Sequence, residues 1–193
     1  ETDSWWPQVL GTSILGTMRG RSLREVPVVW TTWERWREAY PDTAVLTEDT
    51  GFVRDYGDDP YGVYNPRGGY YDSDRVIFPR MHRNNQYRPK RVFLGARSAD
   101  GTVAFDKQRL RDERLLEATV GGVPYLATHD EALDFGYVYR NHNGRSVQAS
   151  ADGYEGPDGE SHAADSLPLE RVNAFDAMWF AWIAFYRESV VVG

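Results

Sequence analysis

The sequence predicts an α+β, β-rich chain built from two related units, the first only partly present, each ending in a tryptophan-rich helix and a short strand. Three observations carry this reading. "VVWTTWERWREAYPDTAVLT" near the start and "AFDAMWFAWIAFYRESVVVG" at the end share Trp-x-x-Trp-x-x-x-Tyr with the same spacing. Between Arg91 and Ser150, short runs rich in β-branched and aromatic residues flank Asp-Gly, Gly-Gly and Asn-Gly pairs, which are hairpin signals. A Tyr-, Pro- and Gly-rich stretch separates the two regions.

The echo orders the chain. Shifted by 146 positions without gaps, Leu23 meets Leu169, Val26 meets Val172, Trp33 meets Trp179, Trp36 meets Trp182, Tyr40 meets Tyr186 and Val45 meets Val191; Thr43 meets Ser189. Spacings of three and four place Trp33, Trp36 and Tyr40 on one helical face, and likewise Trp179, Trp182 and Tyr186. Thr31 and Glu34 suit a capping box, Pro41 ends the first helix, and "TAVLT" reads as a strand. In the second copy Asp176 is placed to cap the helix, and "SVVVG" supplies the strand. That helix carries no charge from Ala177 to Tyr186, which suits burial or a partner surface and is too short to cross a bilayer. Trp33 and Trp179 are therefore expected in equivalent buried positions.

Residues 1–47 are read as the C-terminal part of the first unit, 48–90 as an ordered connector and 91–193 as the second unit. The register predicts that roughly fifty or more residues of the first unit lie upstream of Glu1. Trp5, Trp6, Val9, Leu10, Ile14 and Leu15 have few charges around them, so residues 1–22 need neighbours. The expected partner is the upstream segment of the same protein or a second polypeptide completing the first unit.

The connector holds Tyr56, Tyr61, Tyr64, Tyr70, Tyr71 and Tyr87, interrupted by Pro60, Pro66, Pro79 and Pro89. It is too aromatic for a free linker and too rich in proline for a long helix. Tyr56, Tyr61, Tyr64, Tyr70 and Tyr71 offer flat apolar faces with polar tips, a candidate binding surface. Asp55, Asp58 and Asp59 are candidate oxygen ligands for a divalent cation such as calcium.

In the second unit "RVFLGAR" and "TVAFD" flank a turn at Ser98–Gly101, and "KQRLRDERLLEA" reads as a charged helix. "EATV" and "VPYLAT" flank Gly121-Gly122, and "FGYVYR" is expected to pair with "RSVQAS" across the turn ending at Gly144. Residues 151–166 read as a loop. His82, His129, His142 and His162 fall in segments that read as loops, in solvent-facing or capping roles, and none forms a helical ligand pair.

Composition excludes several functions. The net charge is −7, with 29 acidic and 22 basic residues, which argues against general polyanion binding and hence against a nucleic-acid partner. Lys90 and Lys107 are the only lysines; arginine over lysine with excess acid fits a salt-adapted surface. There is no cysteine, so disulfides and thiol-ligated metals are excluded for these residues. No apolar run approaches about eighteen residues, no Gly-x-Ser-x-Gly elbow occurs, and Gly68-Gly69 is followed by neither Lys-Ser nor Lys-Thr. No catalytic residue is assigned.

"TDSWWPQVLGTSILG", "TTWERWREAYPDTAVLTEDTGFVRDYGDDPYGVY", "FPR…PKRVFLGAR", "TVGGVPYL" and "AFDAMWFAWIAFY" together resemble the family of domain of unknown function 3179, in its haloarchaeal form, from Ser4 to Val191. The resemblance implies a longer, two-fold repetitive protein with an export or lipoprotein signal, and thus an extracytoplasmic location. It also implies a Tyr-Cys-Pro-type motif in the first unit. In the second unit "VPYLATHDE" occupies the corresponding position without the thiols. Two functions are weighed: a non-catalytic binding or assembly protein of the cell surface, which the visible aromatic surfaces favour, and a metal-dependent or redox enzyme whose reactive centre lies upstream.

Overall fold

The computed structural model describes residues 2–57, 68–77, 79–80 and 82–193. Its regular structure concentrates after Arg91. β1 (Val92–Ser98) and β2 (Gly101–Asp106) form the hairpin expected around Asp100-Gly101. α2 (Lys107–Glu113) follows α1 (Trp33–Ala39) in chain order. It starts where the Asp106 carboxylate accepts the Arg109 N–H at 2.9 Å, and ends at Arg114 in the left-handed conformation. This N-cap and left-handed stop confine the helix to seven residues, so "LLEATV" becomes strand instead of continuing it.

β3 (Leu115–Val120) and β4 (Val123–Asp130) are joined by Gly121-Gly122, both at positive φ as a tight two-residue hairpin requires. β5 (Phe135–Arg140) continues the meander. Its other edge takes β9 (Glu170–Val172) and not the "RSVQAS" segment expected from the sequence. The Asn141 side chain donates to the Arg145 carbonyl and accepts the Arg145 N–H. It thereby closes a loop that turns the chain away from β5. β6 (Gln148–Ser150), β7 (Gly153–Glu155) and β8 (Ser161–His162) then form a small sheet inside the stretch read as a loop.

β10 (Ala174–Met178), α3 (Trp179–Phe185) and β11 (Val190–Val192) complete the unit. One sheet runs β10-β1-β2-β11 with β11 parallel to β2; the other runs β3-β4-β5-β9. The side-chain alternation of β1 and β2 divides the core. Leu94, Ala96, Val103 and Phe105 enter the main cluster with residues such as Leu126, Val138 and Tyr139. Phe93 and Ala104 face the other way and pack beneath α3.

The earlier part is different. α1 is the only regular helix among the described residues before Arg91, and "TAVLT" forms no strand. Residues 2–22 fold back through isolated bridges, Trp5 to Leu15 and Thr12 to Ser22. Arg97 of β1 and Tyr186 both donate to the Val9 carbonyl, and the Arg97 guanidinium also contacts the Tyr186 hydroxyl and the Glu25 carboxylate. Among its described residues the connector has turns and bends without helix or strand.

Candidate functional site: two aromatic turns and an uncovered apolar face

The second tryptophan helix is a buried tile. Trp179 and Trp182 are each 0% exposed. The Trp179 ring stacks near Phe93 and Tyr87, with centroids 5.0 and 5.1 Å away, and its indole N–H donates to the Asn84 carbonyl at 3.2 Å. Trp182 lies flat on β1 at Gly95, where a β-carbon would stand 2.2 Å from the ring. Asp176 does not cap this helix. It sits in β10, paired with Lys107, and Met178 occupies the N-cap without a side-chain hydrogen bond. Close packing, not capping chemistry, starts α3.

The first helix reproduces the second in local geometry. Each spans seven residues. The closing tyrosine N–H bonds the tryptophan carbonyl at 2.8 Å in the first (Tyr40 to Trp36) and 3.0 Å in the second (Tyr186 to Trp182). The Trp36 indole N–H donates to the Thr43 hydroxyl at 3.0 Å, and that of Trp182 to the Ser189 hydroxyl at 2.8 Å. The Trp36–Tyr40 rings are 4.5 Å apart at 38°; the Trp182–Tyr186 rings are 4.4 Å apart at 42°. Thr32, one residue later than expected, is the N-cap of α1, accepting from Arg35 N at 3.3 Å.

The surroundings differ, and this corrects the expectation of equivalent burial. Trp33 is 52% exposed, because among the described residues no strand lies beneath α1 as β1 lies beneath α3. Val45 and Leu46 are exposed where Val191 and Val192 are half-buried in a sheet. A strand needs a neighbour for its backbone groups, and among the described residues "TAVLT" has none.

Among the described residues, the exposed large apolar side chains fall almost wholly before residue 54. Trp5, Leu15, Leu23, Val26, Val28, Trp30, Trp33, Val45, Leu46, Phe52 and Val53 are each more than half exposed, whereas none from Arg91 onward joins them. Single exposed apolar residues are ordinary, so it is their concentration in this part of the chain that calls for an explanation.

Polar groups gather elsewhere, at the end of the second unit where α2 meets the β4–β5 turn. Arg111 grips the Asp134 carboxylate with two bonds of 2.7 and 2.6 Å, and the His129 Nε2 lies 3.1 Å from the same group. Asp134 has a φ of +52°, a conformation that aspartate tolerates better than most side chains. Burial alone would raise its carboxyl pKa, but the Arg111 and His129 contacts outweigh that and hold it at about 2. Beside it, burial raises the Asp176 carboxyl, partly offset by the Lys107 ammonium. His129 is thus a buried strand residue in β4, not the exposed loop residue expected; its Nδ1 and the Asp176 Oδ1 are buried without a hydrogen-bond partner.

This network yields a pH prediction. A carboxyl held below its unfolded pKa stabilises the fold above the unfolded value and loses that contribution as pH falls through the folded value. Asp134→Asn is expected to cost about 1 to 2 kcal/mol near neutral pH. The difference from the parent should shrink between about pH 4 and pH 2. Urea unfolding at several pH values measures it; a pH-independent difference would show that the carboxylate charge is not what matters.

Of the residues read from the sequence as a cation site, Asp55 accepts a hydrogen bond from the Gly57 N–H at 3.2 Å, and Asp58 and Asp59 lie outside the described residues. Among the five tyrosines, the Tyr56 hydroxyl bonds Thr50 at 2.6 Å, and Tyr70 and Tyr71 meet edge to face at 5.7 Å with the Lys90 ammonium over Tyr70. Tyr61 and Tyr64 lie outside the described residues. Among the described residues, the one convergence of metal-type donors is Asp158, Glu160 and His162, whose ligand atoms lie within 4.8 Å of one another. The Asp158 carboxylate bonds the His162 ring at 2.9 Å. Their alternate spacing was the available signal, hidden because the segment reads as a loop.

No curated protein and no solved structure matches this chain. The model of a family described as "Protein of unknown function (DUF3179)" matches residues 1–189, and the chain belongs to that family.

Proposed function

We propose that this chain is a non-catalytic binding or assembly protein whose first unit is completed by further polypeptide across the apolar face of residues 5–53. The observation that supports this is that, among the described residues, the strongly exposed large apolar side chains all lie in that stretch, while residues 91–193 bury theirs. At about 25 cal/mol per Å² of apolar surface removed from water, side chains such as Trp30 and Leu46 are a substantial driving force for association. The matched helix turns at Trp33–Thr43 and Trp179–Ser189 support an origin by internal duplication. The extracytoplasmic setting and the haloarchaeal host rest on the resemblance and on the arginine-rich, acidic composition.

The test is the behaviour of residues 1–193 by themselves. They are expected to bind a hydrophobic dye and to self-associate in sedimentation experiments, and the triple variant Val28→Ser, Trp30→Ser, Leu46→Ser should reduce both. Such surface changes should move stability by no more than about 0.5 kcal/mol each. A dye-silent, monodisperse monomer would overturn the proposal.

A further inference from the structure

We infer that the occupant of the uncovered face is an antiparallel strand pair built on the plan of Val92–Asp106, with glycine beneath the Trp36 indole. The inference rests on the assembly reading and specifies the chemistry of the partner. The argument comes from what covers the matching turn in the second unit. There, β1 pairs antiparallel with β10, placing Gly95 opposite Phe175, and β2 pairs parallel with β11, placing Ala104 opposite Val191. The 146-position shift that superposes the two turns carries β10 onto residues 28–32 and β11 onto residues 44–46.

Those segments are where the first unit lacks neighbours. Val28, Trp30, Val45 and Leu46 are 62%, 76%, 60% and 99% exposed. Val29 and Trp36 pack against the main core and stay partly exposed, and Val26, Val28, Trp30 and Trp33, near them in sequence, are each more than half exposed. Among the described residues, no backbone–backbone hydrogen bond involves residues 28–31 or 44–46, so a strand entering beside either finds free backbone groups. Only a residue without a β-carbon lets an indole lie on the strand as Trp182 lies on Gly95. The partner is thereby specified as small at two positions, opposite Val29 and opposite Val45, and apolar on the face toward Trp33, where Phe93 serves Trp179.

Because the chain has no cysteine, thiol cross-linking reads this register cleanly. The Val45→Cys protein is mixed with a synthetic Val92–Asp106 peptide carrying Ala104→Cys under mild oxidation. Cross-linking is expected to be several-fold faster than with a Thr102→Cys peptide, and Gly95→Leu in the Ala104→Cys peptide should abolish the advantage. In a Val191→Cys protein the native β2 already fills the slot, so no register preference should appear. Register-independent cross-linking, indifference to Gly95→Leu, or burial of the face in a homodimer that excludes the peptide would overturn the inference. A dye-binding chain that ignores the peptide sinks the strand pair alone; a dye-silent monomer sinks the assembly reading as well.

Discussion

Trp182→Ala is expected to lower the unfolding free energy by about 3 to 5 kcal/mol, and Trp33→Ala by less than about 1 kcal/mol. The first removes a fully buried ring lying on β1, ring contacts to Phe175 and Tyr186, and an indole hydrogen bond to Ser189. The second removes a half-exposed ring. Chemical denaturation of both variants and the parent measures the pair. Equal losses would mean that Trp33 has in solution the cover that this structure denies it, and would count against the uncovered face.

Gly95→Ala is the complementary change, adding atoms where Trp182→Ala takes them away. A β-carbon at position 95 would meet three Trp182 ring atoms at 2.2, 2.4 and 2.6 Å. Neither partner can step aside easily: Gly95 lies in a central strand paired on both sides, and the ring is enclosed. Overpacking of this kind costs about 1 to 3 kcal/mol, and the short distances place this case at the upper end. Combining Gly95→Ala with Trp182→Phe should cost clearly less than the sum of the single losses, since the smaller ring releases the clash. Strict additivity would show that the glycine serves the backbone and not the tryptophan.

The parts of the fold governed by local chemistry were legible in the residues. Gly101, Gly121 and Gly122 sit at positive φ in the turns where the sequence placed them, and the strands beside them follow. The Trp-x-x-Trp-x-x-x-Tyr spacing predicted two helices, and both form over matching positions. Readings that depended on distant partners fared differently. Asn141-His142-Asn143-Gly144 looks like a hairpin turn, yet Asn141 binds Arg145 and β5 takes β9 as its neighbour. Asp176 has the residue type of a cap but is drawn into β10, where the antiparallel match of Met178 with Val92 fixes it beside Lys107. The His129–Asp134–Arg111 network joins residues from a strand, a turn and a helix, so no motif in a linear reading reveals it.

The parallel pairing of β11 with β2 also governs the order of assembly. Thr102 and Ser189, whose hydroxyls meet at 2.8 Å across this junction, are 87 positions apart. The β1–β2 hairpin closes locally and early, but both of its edges remain open until nearly the whole unit has been synthesised, because β10 and β11 come last. During that interval the nascent chain presents two unpaired strand edges and the bare apolar underside of Phe93 and Ala104. Delayed edge closure leaves the growing chain open to pairing with other exposed strands until β10 and β11 arrive. It also makes the last residues of the unit, and not its hairpins, the step at which misassembly with another nascent chain is decided.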